Sequence, residues 1–160
     1  LAAAVTGELT REWRERLIVG VQTENGTPRG WSVSTIADSI KIIDYRGRTP
    51  PYAESGIPHI RSANIKNGKI VWEKMKYVTS ETYNQYMTRG MPQYGDLLFT
   101  TEAPLGDVTE VPTEKFCLAQ RVILLRPDPT RLFHKFLKYQ IMAPDFQGRI
   151  SGRGTGSTVG

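Results

Sequence analysis

The chain has 160 residues, of which 39% are apolar, and this matches the length and hydrophobic content of one ordinary globular domain. Its 21 Lys and Arg outnumber its 16 Asp and Glu, so the formal charge of +5 favours a polyanionic partner without establishing one. The single cysteine, Cys117, excludes a disulfide framework within the chain, and its apolar neighbours predict a buried thiol.

The N-terminal part of the chain has a helical pattern followed by a linker. Leu9, Trp13 and Leu17 recur every four residues, as on one face of a helix, although Gly7 weakens that helix. The turn-forming residues 25–30 then predict a linker ahead of the globular part.

The two ends of the chain bear on its location and its context. The apolar residues 1–5 lack a basic leader and are far too few for a signal core or a membrane span. We therefore expect a cytoplasmic protein that is not held in a membrane. The glycine-rich residues 149–160 close no predicted element, so we expect the chain to be part of a longer polypeptide.

Beyond the linker, the sequence predicts short elements separated by loops. Residues 33–40 allow a short helix, and residues 45–51 place two arginines around a glycine before two prolines, which is typical of a loop. Residues 57–61 alternate in polarity as a strand does. An Asn-Gly pair between apolar ends predicts a hairpin at residues 65–70.

The second half of the chain predicts two helices and two central strands. Ser80 can cap a helix over residues 81–87. The apolar, β-rich runs 96–101 and 120–125 are typical of central strands. Asp128, followed by a proline, supplies a cap for a helix with a well-formed apolar face. We therefore predict an α+β fold, with a twisted, largely antiparallel sheet, short flanking helices and long loops.

A metal site or a nuclease site is a possible source of chemistry in this chain. A zinc site is disfavoured because the two histidines and the cysteine fall in different predicted elements. Asp96, Glu102 and Asp107 are close in sequence, and paired carboxylates can hold the metal ions that cut phosphodiesters. However, no Glu in the chain is followed two positions later by Lys, so the acid and lysine pattern of many nucleases has no candidate. Turns at the two ends of a strand explain Asp96 and Glu102 better.

A methyltransferase is a second catalytic alternative. Residues 49–52, Thr-Pro-Pro-Tyr, resemble the Asn/Asp-Pro-Pro-Tyr loop of amino-methyltransferases, but Thr49 replaces the acceptor of the target amine. The glycine-rich residues 152–156 follow a predicted helix instead of a strand, which disfavours an adenosylmethionine loop and favours a flexible or backbone-hugging loop. There is also no Gly-Lys-Ser/Thr sequence, which excludes a nucleotide-binding phosphate loop of that type.

Nucleic-acid binding fits the remaining polar residues better, because the cations gather in predicted loops and turns. These groups are Arg46 with Arg48, Arg61 with Lys66 and Lys69, Lys74 with Lys76, and Arg149 with Arg153. Among them lie aromatic and amide side chains that suit base edges and sugars, namely Tyr45, Tyr52, Asn64, Trp72, Tyr77 and Gln120. On composition alone, a plain solvated surface remains the alternative.

The order of short segments from Gly30 onward resembles the DNA target-recognition domain of type I restriction-modification specificity subunits. The matching segments are Gly30-Trp31, Gly47-Arg48-Thr49-Pro50, Gly56-Ile57-Pro58-His59-Ile60-Arg61 with Asn64-Ile65, Gly95-Asp96-Leu97-Leu98-Phe99, Gly106, Ala119-Gln120, and Gly154-Thr155-Gly156-Ser157-Thr158. Residues 1–14 also resemble the end of the helical spacer that separates two such domains. The resemblance therefore implies a spacer end and linker at residues 1–24 and a recognition domain at residues 25–160, the second of two, with the C-terminal helical spacer missing.

The resemblance implies a chain with no catalytic chemistry of its own. Its partners would be double-stranded DNA and the modification and restriction subunits, which would use S-adenosylmethionine, ATP and Mg. We predict base readout by Arg48, Arg61, Asn64 and Gln120. We predict backbone contacts by Arg46, Tyr52, Lys66, Lys74, Lys76 and Arg153. An amide such as Gln120 can instead tie down a loop, and Arg61 can instead pair with Asp96 or Glu102.

Three other functions remain open on the sequence. The chain could be the recognition domain of another DNA methyltransferase or restriction enzyme. It could be a small enzyme, which the missing catalytic residues disfavour. It could also be a protein-interaction module whose basic surface faces an acidic partner.

Overall fold

A computed structural model describes residues 1–17, 27, 31–45, 49–102, 104–118 and 121–154, without the side chains of residues 14, 15, 17 and 152–154. The N-terminal segment consists of α1 (Ala2–Val5), a single-turn 3-10 helix (Glu8–Thr10) and α2 (Arg11–Leu17). Gly7 interrupts the predicted helix with a φ of 80°. Leu9 and Trp13 of the predicted apolar face are exposed. The predicted boundary between residues 24 and 25 lies outside the described residues.

The described residues form short strands and helices. In chain order the strands are β1 (Ile40–Asp44), β2 (Ile57–Ile60), β3 (Ile65–Lys66), β4 (Lys69–Ile70), β5 (Lys76–Val78), β6 (Leu97–Thr101), β7 (Leu105–Glu110), β8 (Cys117–Leu118) and β9 (Val122–Pro127). The remaining helices are α3 (Ile36–Ser39), α4 (Ser80–Tyr86), α5 (His134–Met142) and α6 (Pro144–Gly154), with a 3-10 turn at Ser62–Asn64. The predicted α+β class is confirmed.

The largest sheet is antiparallel and has the order β1-β9-β6-β7. Successive side chains of a strand face opposite sides of a sheet, so Leu97 and Leu98 enter different cores. Leu97 packs with Leu137 and Ile141 of α5. Leu98 packs on the other side with Ile60 of β2 and with residues of α4. The sheet is therefore covered on both faces.

The second sheet, β5-β2-β8, contains the exception to the antiparallel prediction. β2 pairs antiparallel with β5 but parallel with β8. A separate hairpin, β3-β4, turns at Asn67 and Gly68, which both have positive φ as a two-residue hairpin turn requires. The predicted hairpin at residues 65–70 is thus confirmed, and the Thr109 hydroxyl holds it against β7 by donating to Gly68 O at 3.2 Å.

Two helix starts differ from the predictions. The cap of α4 is Thr79 instead of Ser80, because the Thr79 hydroxyl accepts a hydrogen bond from Thr82 N at 3.1 Å. Asp128 caps only a turn, in which its Oδ1 accepts from Thr130 N at 2.9 Å. The helix that was predicted to follow Asp128 directly begins later, at His134.

Two further segments were assigned to the wrong element type. The predicted helix over residues 33–40 shortens to the single turn α3, and the next residues form β1 through pairing with β9. The glycines at residues 152 and 154 lie in the last turn of α6, not in a loop. Pro144 occupies the first position of this helix, where its missing N–H costs no hydrogen bond.

Candidate nucleic-acid interface

The direction of the strands brings several strand ends to one edge of the larger sheet. Asp44, at the end of β1, pairs with Ile123 near the start of β9. Thr101, at the end of β6, pairs with Leu105 at the start of β7, and its N donates to Arg121 O at 2.9 Å. β1 and β6 therefore end where β7 and β9 begin.

The smaller sheet meets this edge. β2 and β8 end side by side, since Ile60 pairs with Leu118, and β5 begins at the same end, since Lys76 pairs with His59. Leu118 and Arg121 are three residues apart along the chain, so their Cα atoms are separated by at most roughly 11 Å. We call this shared region, bounded by Tyr45, Arg61, Lys76, Thr101 and Arg121, the loop edge.

Four of the predicted DNA-binding residues come together at the loop edge. Arg61 follows β2, and its Nη2 donates to Lys74 O at 3.0 Å. Tyr52 is 46% exposed, and its ring carries Lys76 Nζ 5.7 Å from the ring centroid. Arg61 is also close to His59, whose ring lies against Tyr52, so this part of the loop edge combines an accessible aromatic ring with the cations of Lys76 and Arg61. Such a surface can contact a phosphate backbone and a base or sugar face together.

His59 supports this surface from below. Its ring is buried, and its centroid lies 5.6 Å from that of Tyr52. Burial, and next the nearby Arg61 guanidinium, lower the pKa of His59 from 6.5 to about 4. The imidazole is therefore neutral at physiological pH and adds no positive charge to the loop edge.

The structure corrects the role predicted for Asn64. This side chain is only 2% exposed. Its Oδ1 accepts a hydrogen bond from Arg61 N at 3.3 Å, and its Nδ2 donates to Val71 O at 3.1 Å. Val71 N returns a hydrogen bond to Asn64 O at 2.8 Å, which extends the β3-β4 hairpin by one pair. Asn64 therefore positions Arg61 and the hairpin, and its buried amide is not free to read a base.

The other predicted residues are placed less closely. Lys66 is exposed and lies across from Lys69 on the β3-β4 hairpin. Arg153 lies in the last turn of α6, and its side chain is not among those described. Arg46, Arg48 and Gln120 lie outside the described residues. The described residues next to them, Tyr45 and Arg121, belong to the loop edge.

Two of the three carboxylates weighed for nuclease chemistry lie far apart, and the third, Asp107, lies on β7 with its N donating to the Thr100 hydroxyl at 2.9 Å. Asp96 and Glu102 flank β6 at opposite ends, about 20 Å apart at the rise of an extended strand, so they cannot share a metal ion. Asp96 Oδ1 and Oδ2 instead accept from Arg126 Nε at 2.8 Å and Nη2 at 2.7 Å. Glu102 lies 3.7 Å from Arg121. Neither carboxylate is paired with Arg61, and no group of three or more His, Cys, Asp or Glu in the described part of the chain could hold a metal ion.

Sequence reasoning missed Arg121 as a candidate. Its φ of 73° is unusual for a residue with a side chain, and its guanidinium lies at the loop edge. The sequence assigned Arg121 to the predicted strand over residues 120–125, whereas β9 begins at Val122. The position of Arg121 directly after Gln120 was therefore the only available signal.

Comparison with known proteins relates this fold to solved structures. No family model and no curated protein matches the chain. The HsdS subunit from Thermoanaerobacter tengcongensis is 20% identical and superposes with a TM-score of 0.50 over 88% of this chain and 34% of that one. The chain has the fold of part of an HsdS subunit.

A second solved structure agrees with this HsdS likeness. It concerns complex assembly and conformational transition of the type I R-M system, and it matches with a TM-score of 0.51 and 21% identity over 90% of this chain and 35% of that one. The chain thus spans about a third of each protein that it resembles. The resemblance predicted from the order of short segments is confirmed at the level of the fold. Among the described residues, no helix is long and apolar enough to cross a membrane.

Proposed function

We propose that this chain is a DNA target-recognition domain of a type I restriction-modification specificity subunit, and that it reads one half of a bipartite DNA target. The observation that carries the proposal is the loop edge. Strands from both sheets end there. Arg61, Lys76 and Arg121 are described residues of this edge and lie next to the predicted reading loops. Loops on a rigid scaffold are the usual place for recognition residues.

The described contacts support a division of these residues into base-reading and phosphate-binding candidates. Arg61 Nη2 is engaged with Lys74 O, and Arg61 Nε is buried without a hydrogen-bond partner among the described residues, so the donors left for a base are those on the two Nη atoms. Two such donors suit the bidentate contact with guanine. Lys74 and Lys76 present single point charges, which suit phosphates. Arg48 and Gln120 stay our candidates for further base contacts, and Arg46, Lys66 and Arg153 for further backbone contacts.

In this proposal, catalysis belongs to other subunits. Modification subunits would methylate DNA with S-adenosylmethionine, and restriction subunits would cleave it with ATP and Mg. This chain would supply the sequence choice alone. Its carboxylates support that division, because Asp96 is committed to Arg126 and lies far from Glu102.

A selection of random-sequence duplexes by the purified protein tests the proposal. We expect enrichment of one short half-site and a binding constant that falls steeply with salt. Binding that depends on salt but enriches no sequence would remove the recognition role. An absence of binding at low salt would favour a protein-interaction module instead.

A further inference from the structure

A turn at residues 71–76 connects the β3-β4 hairpin to β5 and lies beside Arg61. One end of this turn is held by Asn64, whose Nδ2 donates to Val71 O at 3.1 Å and whose O accepts from Val71 N at 2.8 Å. The other end is held because Lys76 pairs with His59 of β2. Both ends are therefore fixed to the segment 59–64, which contains Arg61 itself.

The middle of this turn depends on the backbone conformation of Lys74. Its φ is 55°, a left-handed conformation that is uncommon for residues other than glycine and rarest for β-branched ones. The Lys74 side chain is exposed, whereas the next residue, Met75, is buried. The left-handed backbone thus turns the chain from solvent toward the core, and it determines the direction of the Lys74 carbonyl.

This carbonyl restricts the guanidinium of Arg61. Lys74 O accepts a hydrogen bond from Arg61 Nη2 at 3.0 Å, and Arg61 Nε is buried. A guanidinium is planar and rigid, so fixing one of its nitrogens restricts the direction of the remaining donors. A bidentate base contact needs donors in defined positions, whereas a phosphate can be contacted by a charge from many directions. The carbonyl therefore bears on the choice of base more than on general attraction to DNA.

We infer that Lys74 is a positioning residue for base readout, and that its main-chain carbonyl sets the orientation in which Arg61 reads a base. This inference rests on the proposed function. It adds a second role to the phosphate contact of the Lys74 side chain, because the side chain and the carbonyl act on different parts of the DNA. The two roles can be separated, since a substitution can remove the side chain and keep the backbone conformation.

The test compares variants of the purified protein by their affinity for the selected half-site and for its single-base variants. Arg61→Ala identifies the base position that Arg61 reads, where we expect discrimination to fall about 5- to 150-fold. Lys74→Gly removes the side chain, but glycine adopts the left-handed conformation readily. We expect wild-type discrimination at that position, weaker binding to all duplexes and a salt slope smaller in magnitude by about 1.

Lys74→Val removes the same charge but disfavours the left-handed conformation, so the carbonyl moves. We expect discrimination to fall at least about 5-fold at the Arg61 position, with the other positions of the half-site still selected. Lys41→Val is the matched control, because Lys41 is an exposed residue of β1 and a strand suits valine. It should keep the wild-type discrimination and salt slope.

A glycine inserted between Glu73 and Lys74 is the second test, which serves also if Lys74→Val does not fold. Loops tolerate insertions, and this one displaces the carbonyl while keeping the charge. We expect the same loss at the Arg61 position with an unchanged salt slope.

Three results would overturn the positioning role of Lys74. The first is wild-type discrimination in the insertion variant or in folded Lys74→Val, and the second is an equal loss at every base position in these variants. The third is a base-specific loss in Lys74→Gly, which would make the lysine side chain the reader. If Arg61→Ala causes no base-specific loss, the inference also fails while half-site selection stands. If the wild type selects no half-site, the proposed function itself fails, which is a different result.

Discussion

Replacing Asp96 with Asn separates the architecture of the domain from its recognition surface. Asp96 is 1% exposed and accepts two hydrogen bonds from Arg126 and a third from Gln93 N at 2.7 Å. The side-chain hydrogen bonds from Arg126 to Asp96 raise the pKa of Arg126, which keeps the guanidinium charged. An Asn side chain has no charge and turns an NH₂ group toward the Arg126 donors.

The size of the effect follows from this geometry. Removing one partner of a buried ion pair costs about 3–5 kcal/mol. Arg126 has a side chain that is 24% exposed and a remaining hydrogen bond to Met91 O at 2.7 Å, so water and this carbonyl relieve part of the loss. We therefore expect Asp96→Asn to lower the free energy of unfolding by about 3 kcal/mol, the low end of that range.

Urea unfolding followed by circular dichroism measures this change as a lower midpoint at an unchanged slope. Asp96→Asn combined with Arg126→Met should recover most of the stability, because no charge is left without its partner. Half-site selection by the folded variant should match the wild type, since Asp96 lies at the end of β6 opposite the loop edge. A loss below about 1 kcal/mol, or a changed half-site, would refute this reasoning.

Three further substitutions test the loop edge. Arg61→Ala should cost about 1–3 kcal/mol of binding free energy on the cognate half-site and relax the choice at one base position. Competition among single-base variants of the half-site measures this change. An equal loss of affinity on all sequences would make Arg61 a phosphate contact. Lys76→Ala should weaken binding to all duplexes and lower the magnitude of the salt slope by about 1, whereas Lys135→Ala, an exposed lysine on α5, should leave the slope unchanged. His59 has a folded-state pKa of about 4 against an ordinary 6.5, so the unfolded chain binds more protons between these values. Stability should fall by up to about 3 kcal/mol as the pH drops through this window, and His59→Leu should flatten that loss in unfolding curves measured from pH 7 to pH 4.

Sequence reasoning succeeded where the signal was local. The hairpin at residues 65–70 depends on Asn67 and Gly68, whose positive φ values are encoded by these residue types. The strands β6 and β9 could also be predicted from the sequence, because continuous apolar runs suit a sheet that is covered on both faces. Both features are decided by neighbours in sequence.

It failed where distant partners decide the outcome. β1 follows a helical turn without a break in pattern, and only its pairing with β9 makes it a strand. The parallel contact between β2 and β8 joins segments more than fifty residues apart, which no periodicity indicates. Asn64 has a residue type that suits a base edge, yet its backbone neighbours Arg61 and Val71 take both ends of its amide.

The two ends of the larger sheet have different roles, since one end carries the loop edge and the other carries stabilising ion pairs. This division suits a domain whose target can change. At the end away from the loop edge, Glu110 lies 3.2 Å from both His134 Nε2 and Lys138 Nζ, and Asp96 holds Arg126. The Glu110–Lys138 and Asp96–Arg126 ion pairs lie at this end, and the two apolar cores lie mainly among strands and helices, with Tyr45 as the core residue that belongs to the loop edge. Substitutions in the loops therefore leave the main sources of stability in place. A recognition domain built in this way can accept new readout residues at the loop edge while the fold that presents them is kept.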